Sequence, residues 1–332
     1  MYNNPGVDSI RYRLIYYVHG DGSYLFHDND GNEVMADDRM VQQAISVALA
    51  LTHSEVFIFH QKPKKHFLFF FPRKDGEFFY YRNGKLIANE SYNSNPSLRN
   101  LEIESVFFHE YASYIPEFTG NTIDNFFLYY GHEIPESDGR GYNMSYPEKP
   151  FSIENLSNAL ALMINTPQMQ SKKFDMVLLS TCYNGTPGVI SRLAHYTHYV
   201  IASPEYLHLS YISSSFFKTL AFAGITDMHS FLKNLASEAF YDLKSNTQTM
   251  ITVSLYDVEK LTPFLKSFTG GIAGNIKAEG KDYSDYTGCI DCAQNKTFDL
   301  TEATDGIDLF YNPPQFGKYK NKLSHSGWGC PK

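Results

Sequence analysis

Apolar residues recur along the chain in two alternating rhythms: short, nearly continuous runs of strand length, and stretches in which they return every three or four residues. Arg11 to Val18 (RYRLIYYV) is the first strand-like run, and it stops at the turn cluster His19-Gly20-Asp21-Gly22. YLFHDNDGNEVM then predicts a hairpin with Asn29-Asp30-Gly31 at its tip. Its acidic residues resemble a calcium loop only superficially, because the glycine and the final glutamate are misplaced for an EF-hand. Met40 to Leu51, apolar at 40, 41, 44, 45, 48 and 49, predicts a helix, and Glu55 to His60 a strand. Phe67 to Phe71 and Glu77 to Tyr81 read as a hairpin joined through Lys74-Asp75-Gly76. A helix is predicted over Leu101 to Tyr114. Its His109-Glu110 pair lacks the second histidine that zinc binding on one helical face requires, since position 113 is serine.

Asp124 to Gly131 (DNFFLYYG) and Phe174 to Thr181 are runs suited to buried strands. Between them lie a polar loop to Pro150 and a helix capped by Ser152, apolar at 153, 156, 160, 163 and 164. A short helix over Thr186 to Ala194, a strand over His198 to Ser203, and helices over Ile212 to Ala223 and Thr226 to Leu243 follow. A strand at 250 to 258 and a helix around Glu259 to Ser267 complete the series. Strands alternating with helices predict an α/β fold: a mostly parallel central sheet with helices on both faces, its ligands beyond the carboxyl ends of the strands. After about residue 268 the pattern loosens into Gly, Asp, Tyr and Asn. The expected division is a main domain over residues 1–267 and a C-terminal extension or small subdomain over 268–332.

Composition narrows the function. With 332 residues, 43% hydrophobic and 19% charged, the chain can bury a substantial core and is not largely disordered. Its aromatic content is Tyr 25 and Phe 26 against Trp 1, flat side chains suited to strands and to peptide-contacting surfaces. A net charge of -8 gives no general reason to bind a phosphate backbone, so nucleic acid is not an expected partner. No apolar run approaches the roughly 20 residues of a membrane span. The N-terminal MYNNPGVDSI lacks the regions of a signal peptide, although a chain trimmed of its leader would read the same way.

The four cysteines stand at 182, 289, 292 and 330. Cys289 and Cys292 form a C-x-x-C without a fourth zinc ligand of obvious spacing; a disulfide from Cys330 to one of them and unpaired structural thiols are both open. Cys182 is left over.

Two of the apolar runs end in residues able to do covalent chemistry, YYGH at Tyr129 to His132 and LLSTC at Leu178 to Cys182. On parallel neighbouring strands, thiol and imidazole would face one cleft. An ordinary thiol is mostly protonated near neutrality, with a pKa of about 8.5, so an imidazole that takes its proton raises the reactive thiolate fraction. A competing reading fits the same residues: a cysteine that is only a small buried hydrophobe.

The run FDMVLLSTCYNGTPGVISRLAHYTHYVIASPEYLHLSY, Phe174 to Tyr211, resembles the clostripain family of cysteine peptidases: apolar strand, nucleophile, glycine three residues later, amphipathic helix, then a strand closing in Ala-Ser-x-Glu. FFLYYGH resembles that family's histidine-bearing strand, RYRLIYYVHGDGS its opening strand, and ITVSLYDVEKLTPFLKSF its later strand and helix. The resemblance spans roughly residues 10 to 268. It implies a caspase-like three-layer sandwich, with Cys182 as nucleophile, His132 as general base and acid, and the backbone N–H groups of Cys182 and Glu133 around the oxyanion. The implied substrate is an extended peptide or protein.

The sequence also departs from the family. Glu133 stands where glycine is usual after the histidine, and Ser180 where an acidic residue accompanies arginine or lysine preference. The expected pocket residues are Ser180, Glu205, Ser210 and Tyr211, so strict Arg/Lys specificity is not expected, because an uncompensated cation would lose its hydration. Arg140, Lys149, Lys172 and Lys173 lie in the interval where family members are often self-cleaved. Calcium enters by family resemblance alone, with no ligand cluster singled out by the sequence. The implied location is secreted, periplasmic or cell-surface, with a cytoplasmic one as the alternative. The competing functions are a catalytically weakened binding or scaffold protein and a thiol amidase or transpeptidase with a closed pocket.

Overall fold

The computed structural model describes residues 10–20, 25–27, 33–62, 66–67, 71–72, 74–93, 100–113, 122–136, 151–169, 171–207, 211–246, 249–268, 291–294 and 305–329. In chain order the elements are β1 (Tyr12–His19), β2 (Leu25–His27), β3 (Glu33–Met35), α1 (Ala36–Ala50), β4 (Ser54–Gln61), β5 (His66–Phe67), β6 (Phe71–Pro72), β7 (Gly76–Arg82), β8 (Lys85–Tyr92) and α2 (Glu102–Tyr111). Then come β9 (Asp124–Tyr130), α3 (Ile153–Ile164), β10 (Phe174–Ser180), α4 (Pro187–Leu193), β11 (Thr197–Ala202), α5 (Met228–Asn246), β12 (Ile251–Asp257), α6 (Val258–Phe268) and β13 (Ile307–Asn312).

A nine-stranded sheet in the order β13-β12-β11-β10-β9-β1-β4-β7-β8 organises the molecule. Its central strands β4, β1, β9, β10 and β11 are mutually parallel, with antiparallel pairs at both margins. Every residue of β1, β4 and β12 is buried, as expected of strands covered on both faces. Alternate side chains feed two cores. Ile15, Phe57, Phe127 and Val177 meet Phe108 of α2, Leu156 of α3, Val189 of α4 and Leu261 of α6; Leu14, Val56, Leu128 and Leu178 meet Ala44 of α1 and Leu235 of α5. These are the three layers of a caspase-like α/β sandwich.

Two local expectations are corrected. In place of the hairpin expected between Phe67–Phe71 and Glu77–Tyr81, β5 pairs with β6, while β7 lies between β4 and β8. The turn of the β7–β8 hairpin is Asn83-Gly84, with φ of 49° and 76°, the positive pair that matches strand twist in a two-residue hairpin. Asp75 instead accepts a backbone hydrogen bond from Lys62 N–H at 2.6 Å, which ties it to the end of β4. The helix expected over Ile212 to Ala223 is a 3-10 turn over Ser215–Ala221. Serines there compete for backbone partners: Ser213 Oγ accepts from Ser215 N–H, and the Ser214 N–H is drawn to Gln43 Oε1 at 3.0 Å. Beyond residue 268, β13 adds to the sheet beside β12, and Trp328 is buried in the core. The hairpin tip at 29–31, Arg140, Lys149, Cys289, Ser210 and Cys330 lie outside the described residues.

Candidate active site

Chain direction and register bring the two reactive strand ends level. β9 and β10 are parallel neighbours with Tyr130 opposite Ser180, and the Gly131 N–H reaches the Ser180 carbonyl at 3.4 Å just beyond the last pair. His132 and Cys182 each follow two residues past that pair, at the same carboxyl edge of the sheet. Cys182 is half-buried, and its Sγ accepts from the Leu207 N–H at 3.4 Å. His132 is also half-buried. Burial, with the neighbouring His19 adding to it, pulls its imidazole down to about 4. Such a ring is neutral near pH 7: it can take a proton, and its conjugate acid gives that proton up readily.

The turn after β10 is bound to its surroundings at nearly every residue. Tyr183 has φ 57°, a left-handed conformation uncommon for a bulky side chain. Its N–H donates to the Glu205 carbonyl at 3.1 Å, and the Gly185 N–H donates to the Ser203 carbonyl at 2.9 Å. Buried Asn184 joins the cysteine loop to the histidine loop: its Oδ1 accepts from the Ile134 N–H at 3.0 Å, and its Nδ2 donates to the Ile134 carbonyl at 2.7 Å. The Thr181 hydroxyl donates to the same Oδ1. Gly185 is required by close approach, because a Cβ there would sit 2.5 Å from the Tyr256 hydroxyl and 2.6 Å from Pro204 N. Thr186 then caps α4, accepting from the Val189 N–H at 3.2 Å.

Of the other predicted residues, Ser180, Glu205, Tyr211 and Glu133 are described. Ser180 is 0% exposed, and its Oγ accepts from the Ile212 N–H at 2.7 Å. Glu205 is 2% exposed and lies 3.0 Å from His325 Nε2; burial raises its carboxyl while the His325 contact works the other way. Tyr211 is half-buried and meets Tyr130 edge-on, ring centroids 5.8 Å apart. Glu133, the expected second oxyanion donor, is half-buried beside His132.

Sequence reasoning missed Asn184, His19 and His325. Asn184 reads as an ordinary turn residue in CYNG. His19, at the end of β1, has Nδ1 2.9 Å from the Tyr129 hydroxyl, and burial lowers it to about 4. His325 is 120 positions from Glu205, a separation that no local pattern reveals. The segment bearing His325 also braces the cysteine loop: the Gly329 N–H donates to the Gly185 carbonyl at 2.8 Å, and Tyr256 donates to the Gly185 and Gly327 carbonyls at 3.2 and 2.6 Å. Cys292 is a free, buried thiol that donates to the Gly329 carbonyl at 2.8 Å. Among the described residues, the one group with metal-ligand spacing is Asp37, Asp38 and His60. An imidazole there fits poorly with calcium, which takes oxygen ligands.

No family model matches the chain, and no curated protein matches it. Solved structures do. A secreted C11 cysteine protease from Bacteroides thetaiotaomicron, "iotapain", aligns at 16% identity and a TM-score of 0.51, covering 76% of this chain and 68% of its own. A secreted C11 cysteine protease from the same organism, in complex with an irreversible peptide inhibitor, aligns at 15% identity and 0.51, covering 76% and 67%. At such identity the likeness is one of architecture, and chemistry has to be argued from the site. The fold of the chain is that of C11, or clostripain-type, cysteine proteases: a mixed, mostly parallel sheet sandwiched by helices in the caspase-like manner.

Proposed function

We propose that the chain is a cysteine endopeptidase that hydrolyses peptide bonds through Cys182 and His132. The observation that carries this reading is the register of β9 and β10, by which the two residues follow level just past the ends of adjacent parallel strands. His132 accepts the Cys182 proton, and the thiolate attacks the peptide carbonyl. The resulting oxyanion is received by the backbone N–H groups of Cys182 and Glu133. Collapse releases the amine, which takes the proton held by His132, and leaves a thioester on Cys182. His132 then deprotonates a water that hydrolyses the thioester and restores the thiol. The Leu207 N–H, 3.4 Å from the sulfur, favours the anionic form.

Specificity follows from the pocket side chains. With Ser180 bonded to the Ile212 N–H and Glu205 to His325, neither offers a free carboxylate to a cationic substrate side chain, so strict Arg/Lys preference is not expected. A role outside the cytoplasm accords with the two similar solved proteins, both described as secreted. Among the described residues, no helix is long and apolar enough to cross a membrane. Glu133 favours one alternative, a binding protein with a weakened site, because it brings charge to the proposed oxyanion position.

Labelling separates the two readings. An acyloxymethyl ketone peptide or iodoacetamide should modify Cys182 far faster than the other cysteines. Cys182→Ala should abolish cleavage of a peptide library while leaving thermal unfolding nearly unchanged. Turnover retained by that variant would remove the proposal.

A further inference from the structure

A second chemical cluster lies at the carboxyl end of β4, two strands away from β9 in the sheet order. His60, on β4, meets Asp37 and Asp38 from the first turn of α1, and the three residues present ligand atoms within 4.8 Å of one another. We propose that Asp37, Asp38 and His60 bind a divalent transition-metal ion of nitrogen and oxygen preference, of the Mn2+ type.

Asp37 carries the argument. Its side chain is 7% exposed and aimed into the cluster, with Oδ2 2.9 Å from His60 Nε2. Its Oδ1 is buried without a hydrogen-bond partner. One oxygen of this carboxylate is bonded to a fellow member of the cluster and the other is buried without a partner, a cost that a further ligand to that oxygen would remove. A dication does so, and two carboxylates balance its charge.

The other ring nitrogen of His60 lies 3.8 Å from Glu77 Oε2, and Glu77 is itself held by Lys62 at 2.6 Å. That carboxylate stands near the outer ring nitrogen without a direct hydrogen bond to it. Gly20 leaves room beside the ligand atoms: a Cβ there would stand 2.0 Å from Asp37 Oδ2 and 2.8 Å from His60 Nε2. Asp38 is exposed, which gives an ion access from solvent. The imidazole turns preference away from calcium.

The test uses the full chain, stripped with a chelator and titrated with Mn2+ alone. Calorimetry should give about one ion per chain. The paramagnetic ion should broaden the ring resonances of His60, identified by their loss in His60→Gln, before those of the other histidines. Asp38→Asn, a change at an exposed position, should weaken binding by about tenfold or more. Either absence of stoichiometric binding or affinity unchanged in Asp38→Asn overturns the site. Binding that leaves the His60 ring unbroadened does so as well, and this readout needs no variant of the buried Asp37 to fold.

Discussion

Asp124 and Asp175 stand at the start of β9 and β10, where burial lifts both carboxyls to about 6, the charge of Asp175 adding to the shift at Asp124. Between the ordinary value near 3.8 and about 6, the native chain holds protons that the unfolded chain has lost. Their contribution is therefore most favourable at low pH and declines as pH rises through the folded value. Asp124→Asn should accordingly raise the Tm at pH 8 and change it little at pH 4; equal changes at both would show that the charge is not what costs stability. His19 and His132 work in the opposite sense. Both are lowered to about 4 from 6.5, so their contribution is present above the ordinary value and is lost on acidification toward 4. If His132 is the base, the acid limb of kcat/KM should lie well below pH 6.5. A limb at the ordinary histidine value would contradict the buried environment assigned to the ring. The placement of Cys182 and His132 at one sheet edge was legible in the sequence because each follows an apolar run, whereas the contacts of Asn184, His19 and His325 are made to partners distant along the chain.

Among the elements, the central strands were readable because burial on both faces writes a continuous apolar run. β8 was not: KLIANESY is mostly exposed or half-buried, and its pairing is set by the Asn83-Gly84 turn before it. That turn also contacts the helical layer. A Cβ at Gly84, besides meeting a φ of 76°, would lie 3.1 Å from the Leu49 carbonyl near the end of α1. Gly84→Ala should cost about 1–2 kcal/mol in denaturant unfolding, and a neutral result would show that the hairpin re-forms around another turn. The weakening should stay remote from the candidate site, since β7 and β8 occupy the margin of the sheet away from β10. The Ser213-Ser214-Ser215 segment shows the complementary limit: helical periodicity was present, but side chains offered the backbone other partners.

At the scale of the molecule, the last described residues close over the proposed nucleophile loop. Trp328 is 1% exposed, its ring 4.8 Å from Tyr256 and 5.5 Å from Phe264, and its carbonyl accepts from the Cys292 N–H at 3.0 Å. Anchored there, residues 327–329 present the Gly329 N–H to the Gly185 carbonyl, while His325 of the same segment pairs with buried Glu205. Glu205 in turn accepts the Tyr183 N–H that helps hold Tyr183 in its left-handed conformation. Loosening the C-terminal segment should therefore misplace the thiol before it unfolds the sheet. Trp328→Ala should cost about 3–5 kcal/mol of stability. Trp328→Phe keeps an aromatic anchor and should lose less stability, yet still lower kcat more than it raises KM and change the rate of Cys182 alkylation. Leu323→Ala provides the control, because Leu323 is 81% exposed and its truncation should alter none of these quantities. A Trp328→Phe chain with a lower Tm but unchanged turnover and alkylation would mean that the segment supports the fold without positioning the sulfur.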